Sequence, residues 1–166
     1  MHGDLAARNV LIGETTDNCL IAKVSDFGLS KSFYDNITYF KRQRTCLPVK
    51  WMAYELLKDG MFTMTSDVWS YGVLLWEIFS LGELPYRAKH NDDIFELLNS
   101  GYKLPCPDAV KRFSSWPFEE FYNTITKRCF VRNPLFRGCF SEIVKIFEES
   151  AAKEELTMYR TMSRFK

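Results

Sequence analysis

Residues 2–28 read HGDLAARNVLIGETTDNCLIAKVSDFG, and the division of this stretch decides the fold. Val10-Leu11-Ile12 and Cys19-Leu20-Ile21-Ala22-Lys23-Val24 are short apolar runs, separated by the turn-forming segment from Gly13 to Asn18. The pattern predicts two small strands joined as a hairpin. A hairpin brings its ends together, so Asp4 and Asn9 before it and Asp26 after it are expected to converge. Two carboxylates and one amide oxygen are hard ligands, suited to Mg²⁺ that also touches phosphate oxygens. A carboxylate not engaged by metal can accept a hydroxyl proton as that hydroxyl attacks phosphorus. Singly, each motif is weak: Asp-Phe-Gly recurs by chance, and Asp-x-x-x-x-Asn also serves as turn chemistry. Their order and spacing give them weight.

Beyond the hairpin, periodicity is lost from Gly28 to Lys50, and a loop of that length in a compact domain is usually functional or mobile. The chain then turns helical. Ser66 to Phe79 is apolar on nearly all faces, which predicts a helix buried at the centre of the domain; Ser70 and Glu77 interrupt it. Asn91-Asp92-Asp93 reads as an N-cap with first-turn acids, and Gly101 closes that helix. Phe118, Phe121, Tyr122 and Ile125 fall at helical spacing, as do Phe140, Ile143, Val144 and Phe147. Both stripes are expected to be core rather than cofactor contacts. The polar tail after Ala151 is expected to fray. The reading is one mainly α domain with a small β-hairpin near its start.

Composition agrees with that class. A length of 166 residues suits one domain at roughly 100–200 residues each. Lys plus Arg (22) nearly cancels Asp plus Glu (21), so no strong field draws the chain to nucleic acid or acidic lipid. The five cysteines are widely spaced without a Cys-x-x-Cys pair, and the only histidines are His2 and His90. A zinc site or disulfide framework is therefore not expected; reduced, mostly buried thiols are. The first residues lack a basic stretch followed by an apolar run, so no signal peptide is expected. No window reaches the ~18 uninterrupted apolar residues of a membrane span. A reducing, cytosol-facing environment is the expectation.

Five ordered motifs carry a family resemblance. His2-Gly3-Asp4-Leu5-Ala6-Ala7-Arg8-Asn9 matches seven of eight positions of the protein-kinase catalytic loop His-Arg-Asp-Leu-Ala-Ala-Arg-Asn, and Ala6-Ala7-Arg8 is the form of receptor-type tyrosine kinases. Lys23 to Leu29 resembles the metal-binding segment. Leu47 to Ala53 is similar to the loop that supports an extended substrate tyrosine. Asp67 to Val73 resembles the central helix of the kinase C-terminal lobe. Glu55 resembles the Glu of the Ala-Pro-Glu motif, followed much later by Arg137.

The resemblance implies the C-terminal lobe of the protein-kinase-like α+β fold, spanning residues 1–150 with a polar tail at 151–166 and the N-terminal β lobe missing. It implies Asp4 as catalytic base, Arg8 beside the attacking hydroxyl, and Asn9 and Asp26 as ligands of Mg²⁺ and so of ATP. His2 and Phe27 resemble members of a hydrophobic spine, with Gly28 completing the Asp-Phe-Gly motif. Asp67 is expected to accept backbone hydrogen bonds from the catalytic loop, and Glu55 and Arg137 to form a buried ion pair. Pro48, Val49, Lys50 and Trp51 would form the substrate loop. Tyr34, Thr38 and Tyr39 lie where receptor-type activation loops carry regulatory sites, Tyr34 and Tyr39 being the expected phosphosites. The implied partner is a protein substrate bearing tyrosine, and the implied location is the cytoplasmic side of a plasma-membrane receptor.

This sequence departs from the family pattern at several points. Gly3 replaces the Arg that would clamp a phosphorylated loop, at an expected backbone-entropy cost of roughly 0.5–1 kcal/mol. Tyr54 replaces Pro beside Glu55, Phe130 replaces Trp after Cys129, and Gly138 stands where Pro is usual after Arg137. The 166 residues contain no Gly-rich phosphate loop or phosphate-holding Lys upstream of Asp4. Alone, they are expected to be inactive without an N-terminal lobe or a partner kinase domain to supply one. The alternative reading is a non-catalytic pseudokinase or interaction module; a splice product or gene fragment beginning at an internal Met is a third.

Overall fold

A computed structural model describes residues 1–30, 47–112 and 118–163, with side chains described except at 111–112 and 154–163. Tyr34, Thr38, Tyr39 and Cys46 lie outside the described residues. The hairpin forms as strands β1 (Val10–Glu14) and β2 (Leu20–Val24), antiparallel in the register Val10↔Val24, Ile12↔Ala22 and Glu14↔Leu20. Successive strand residues point to opposite faces, and Leu11, Ile12, Leu20 and Ile21 are all exposed, so neither face is covered by the described residues.

The rest is helical: α1 (Tyr54–Asp59), α2 (Met64–Phe79), α3 (Asn91–Asn99), α4 (Phe118–Cys129) and α5 (Phe140–Ser163), with short 3₁₀ turns at Ala7–Asn9 and Val49–Trp51 among others. Helix α2 is the buried centre, as its uniform apolarity requires. It begins two residues before Ser66. Thr63 caps it, its side chain accepting from the Ser66 amide while the Ser66 hydroxyl accepts from the Thr63 amide. Val68, Trp69, Val73 and Leu75 of α2 join Leu56, Ile94, Leu98, Phe121, Ile125 and Ile143 in one core. Phe130 packs edge-on to the Trp69 ring within that core.

Helix α4 approaches α2 very closely at Gly72. A Cβ there would lie 2.7 Å from the Cys129 Cβ and 2.8 Å from the Phe130 ring, so the absence of a side chain is a packing requirement.

Several expectations need correction. The N-cap of α3 is His90, one residue before Asn91, and its amide donates to Asp93. The end matches: Gly101 and Tyr102 donate back to Leu98 and Leu97, closing α3 as a Schellman turn. On α5 the core contacts are Phe140, Ile143 and Ile146, and Phe147, though 37% exposed, sets its ring edge-on against Phe121 of α4; Val144 is exposed. The stripe meets α4 and, through Phe140 edge-on to the Tyr71 ring, α2. The polar residues after Ala151 continue α5 as helix to Ser163. Among the four described cysteines only Cys129 is buried; Cys19 and Cys139 are exposed. No helix among the described residues is long and apolar enough to cross a membrane.

Candidate active site

The loop from His2 to Asn9 is anchored to α2 by a carboxylate. Asp67 accepts from the His2 amide at 2.7 Å and the Gly3 amide at 2.9 Å, one oxygen each. Buried near the N-terminal end of α2, its charge is met by backbone donors and by the helix dipole. The loop's other end meets the strand β2 side: Ser25 donates to the Asn9 carbonyl from both its amide (2.8 Å) and its hydroxyl (3.0 Å). Asp26 follows at φ 60°, its carboxylate accepting from the Gly28 amide.

His2 ties these pieces together. Its Nδ1 accepts from the Asp4 amide, so its Nε2 carries the proton donated to the Ser25 carbonyl. Its ring lies 4.8 Å from that of Phe27, which is itself 61% exposed.

Asp4, Arg8 and Asn9 form one cluster. Arg8 bonds to the Asp4 carboxylate through Oδ1. The Asn9 side-chain amide donates to the Asp4 carbonyl at 2.8 Å and to Oδ2 at 2.9 Å. The Arg8 guanidinium also lies 4.5 Å from the centre of the Trp51 ring, in the range of a cation–π contact. That contact brings the catalytic-like loop against the 3₁₀ turn Val49–Trp51, which Pro48 precedes. Lys50 turns the other way and donates to the Tyr86 carbonyl.

Two residues of α2 that the sequence marked only as polar interruptions prove to be connectors. Ser70 donates to the Trp51 carbonyl at 2.8 Å. Glu77, 9% exposed, accepts from the Ala7 amide at 2.8 Å and from Trp51 Nε1 at 2.9 Å. The only signal in the sequence was a carboxylate inside an otherwise apolar run.

Farther off, Glu55 and Arg137 meet in a two-point pair at 2.5 and 2.8 Å. The Arg137 side chain is wholly buried and also donates to the carbonyls of Thr65, Val131 and Arg132. Beside it, Tyr54 stacks on Phe95, lies under Arg132, and donates to Asn99, tying α1 to α3 where the family pattern has Pro.

Among the described residues no three His, Cys, Asp or Glu side chains gather to hold a metal. The expected set contains only two carboxylates, with Asn9 as third donor. Because the Asn9 nitrogen is committed to Asp4, its Oδ1 is directed away from that carboxylate. Asn9 Oδ1 and the Asp26 carboxylate are hard oxygens, the donor type that Mg²⁺ prefers.

A family model described as protein tyrosine and serine/threonine kinase matches residues 1–147. The chain is 36% identical over 149 residues to the tyrosine protein-kinase src-1 of Caenorhabditis elegans, covering 90% of this chain and 27% of that protein. It is 39% identical to a fibroblast growth factor receptor of Ciona intestinalis, over 96% of this chain and 20% of the receptor. With vascular endothelial growth factor receptor 1 of Gallus gallus the identity is 42%, over 87% of this chain and 10% of the receptor. The chain thus spans about a quarter or less of these relatives.

Proposed function

The chain belongs to the protein tyrosine and serine/threonine kinase family, and from that membership we propose that the protein containing it transfers the γ-phosphoryl group of ATP to tyrosine in a protein substrate. Residues 1–150 serve as the C-terminal lobe, on the cytoplasmic side of a receptor. The observation that carries this reading is the Asp4 cluster: a carboxylate held from both sides by Arg8 and Asn9, against the Trp51 turn.

In this mechanism Asp4 is the base. Arg8 and Asn9 fix its orientation, and Oδ2 takes the proton of the incoming tyrosine hydroxyl. Pro48, Val49, Lys50 and Trp51 support the peptide that carries that tyrosine. Asn9 Oδ1 and the Asp26 carboxylate would hold Mg²⁺. Bound Mg–ATP supplies the phosphoryl group and the cation that offsets its developing charge. Asp67 keeps the loop in register with α2, and phosphoryl transfer depends mainly on such positioning.

Gly3 favours the second reading, a pseudokinase, because no Arg is present there to clamp a phosphorylated loop. The test is a chimera in which these 166 residues follow the N-terminal lobe of the matching Gallus gallus receptor. Peptide tyrosine phosphorylation is expected, reduced by roughly 10²–10⁴ in Asp4→Asn, the usual contribution of a positioned base. The 166 residues alone are expected to be slower than the chimera. One lost donor costs ~2.7–4 kcal/mol elsewhere, so a missing phosphate loop and Lys remove ~5–8 kcal/mol, or roughly 10⁴–10⁶ in rate. A chimera that binds nucleotide but transfers nothing supports the pseudokinase reading; equal activity in Asp4→Asn removes Asp4 from the mechanism.

A further inference from the structure

Leu135 is the most exposed large apolar residue among the described residues, at 87%, and its neighbour Phe136 stands at 77%. A lone exposed apolar side chain needs no explanation, but two in succession beside a cleft mark a contact surface. They sit on the 3₁₀ turn Pro134–Phe136, which is held from within. The Asn133 side chain accepts from the Leu135 amide, and the Phe136 and Arg137 amides donate to the carbonyls of Asn133 and Pro134. Arg137, next in the chain, is pinned by Glu55. The apolar pair is therefore presented on ordered backbone, which lowers the entropy cost of binding.

Opposite the turn runs one stripe of α4. Thr124, Lys127 and Arg128, spaced by three and four residues, share a side of that helix. Between stripe and turn lies an open cleft of about 650 Å³. Gly138 also lines it, where the family pattern has Pro. A Cβ there would stand 3.0 Å from the Glu142 carboxylate and 3.1 Å from the Arg128 Cβ. This wall closes as it does only because residue 138 has no side chain.

The charge around the cleft is uneven. Arg128 and Glu142 approach to 3.7 Å, but both are about half exposed, and such a pair is worth little in water. Glu142 also accepts from the Cys139 amide. Lys127 is exposed and forms no ion pair among the described residues. Two cations thus accompany one carboxylate. Basic residues in the last turn of a helix also answer its dipole, but that role does not account for the exposed apolar pair across the cleft.

We propose that this cleft docks an acidic segment of a partner protein, one leucine or phenylalanine of which rests against Leu135 and Phe136 while its carboxylates meet Lys127 and Arg128. The recess and the Glu142 carboxylate favour a peptide over a flat anionic membrane. None of these residues belongs to the Asp4 cluster, so the docking surface stands whether or not the protein transfers phosphate.

The probe is a fluorescein-labelled peptide, Glu-Asp-Glu-Leu-Phe-Glu-Asp, titrated into the full chain by fluorescence anisotropy and located by NMR amide shifts. Saturable binding is expected, with the largest shifts at Lys127, Arg128 and from Leu135 to Gly138. Added salt should weaken it, because the charges are exposed. Leu135→Ser combined with Phe136→Ser should weaken it by roughly 10-fold or more, the loss expected of a central apolar contact. Lys127→Gln should weaken it by about threefold. These positions are exposed, so the variants should melt with the parent. Leu20→Ser, on the open hairpin, should bind as the parent does. Absence of saturable binding, or parental affinity in the Leu135→Ser, Phe136→Ser protein, overturns the proposal. So does equal affinity for the same peptide with Lys in place of each acid, or binding to phosphatidylserine vesicles without binding to the peptide.

Discussion

Gly3 occupies φ 84°, and a Cβ there would come within 3.0 Å of the Leu29 carbonyl oxygen. The entropy cost expected of a glycine in this loop is therefore only half of its account. In the left-handed region glycine is the unstrained residue, whereas a side chain costs ~1–2 kcal/mol. Restoring the family's Arg should destabilise rather than repair. Gly3→Arg and Gly3→Ala are both expected to lose ~1–2 kcal/mol in urea unfolding, with similar values because the cause lies in the backbone. A Gly3→Arg protein as stable as the parent would show that the loop adopts another conformation freely. A larger effect belongs to Glu55. Its removal leaves the buried Arg137 guanidinium with backbone carbonyls and the face of Trp69 but no counter-charge, and breaking such a pair costs ~3–5 kcal/mol. Because three carbonyls also hold Arg137, Glu55→Ala should fall near the lower end of that range. A loss within ±0.5 kcal/mol, typical of an exposed surface change, would contradict the burial of this pair.

Between elements, the contact of α2 with α4 sets the tightest tolerance. At Gly72 an added methyl would collide with the Cys129 Cβ, part of the α4 backbone frame rather than a movable side-chain end. Overpacking of this kind costs ~1–3 kcal/mol, while replacing a mid-helix glycine by alanine returns up to ~1 kcal/mol in propensity. Gly72→Ala is thus expected to melt lower than the parent. A higher melting temperature would mean that α4 can shift away without loss. Among helix ends, sequence patterns placed the close of α3 correctly and its start one residue late, because His90 precedes Asn91 in an extended conformation that the residue type does not advertise.

The whole molecule buries titratable groups that should govern its alkaline limit. Burial pushes the Cys129 thiol from 9.0 up to about 12, and burial with a smaller contribution from Cys129 raises the Tyr71 hydroxyl from 10.0 to about 12. Tyr86 and Tyr122 are raised by burial as well. Between 9.0 and about 12 the folded chain keeps a Cys129 proton that the unfolded chain releases. The folded state then binds more protons, so stability falls as pH rises through this window and is unaffected by Cys129 below it. Thermal melting followed across the window should show a decline beginning near 9.0, and Cys129→Ala should delay it toward 10.0, where Tyr71 takes over. A melting temperature that stays level up to about 12 would contradict the burial of both groups.

What the sequence determined by itself is whatever depends on near neighbours. The two apolar runs around Gly13 to Asn18 specify the hairpin, and the unbroken apolarity of residues 66–79 specifies a central helix, because periodicity and turn chemistry are local properties. The order of the motifs was enough to identify the family. Pairings across the chain were decided only by the tertiary structure. Ala7 reaches Glu77 across 70 residues and Trp51 reaches it across 26, so nothing beside Glu77 in the chain identifies its partners. Val144 carries the right spacing for a core face, yet its exposure depends on which neighbours α5 receives. Gly3 has its meaning from φ and from the Leu29 carbonyl, neither of which a residue type encodes. Local patterns choose the elements; only long-range packing selects which polar atoms must meet, since a buried donor is satisfied by whatever acceptor the fold brings to it.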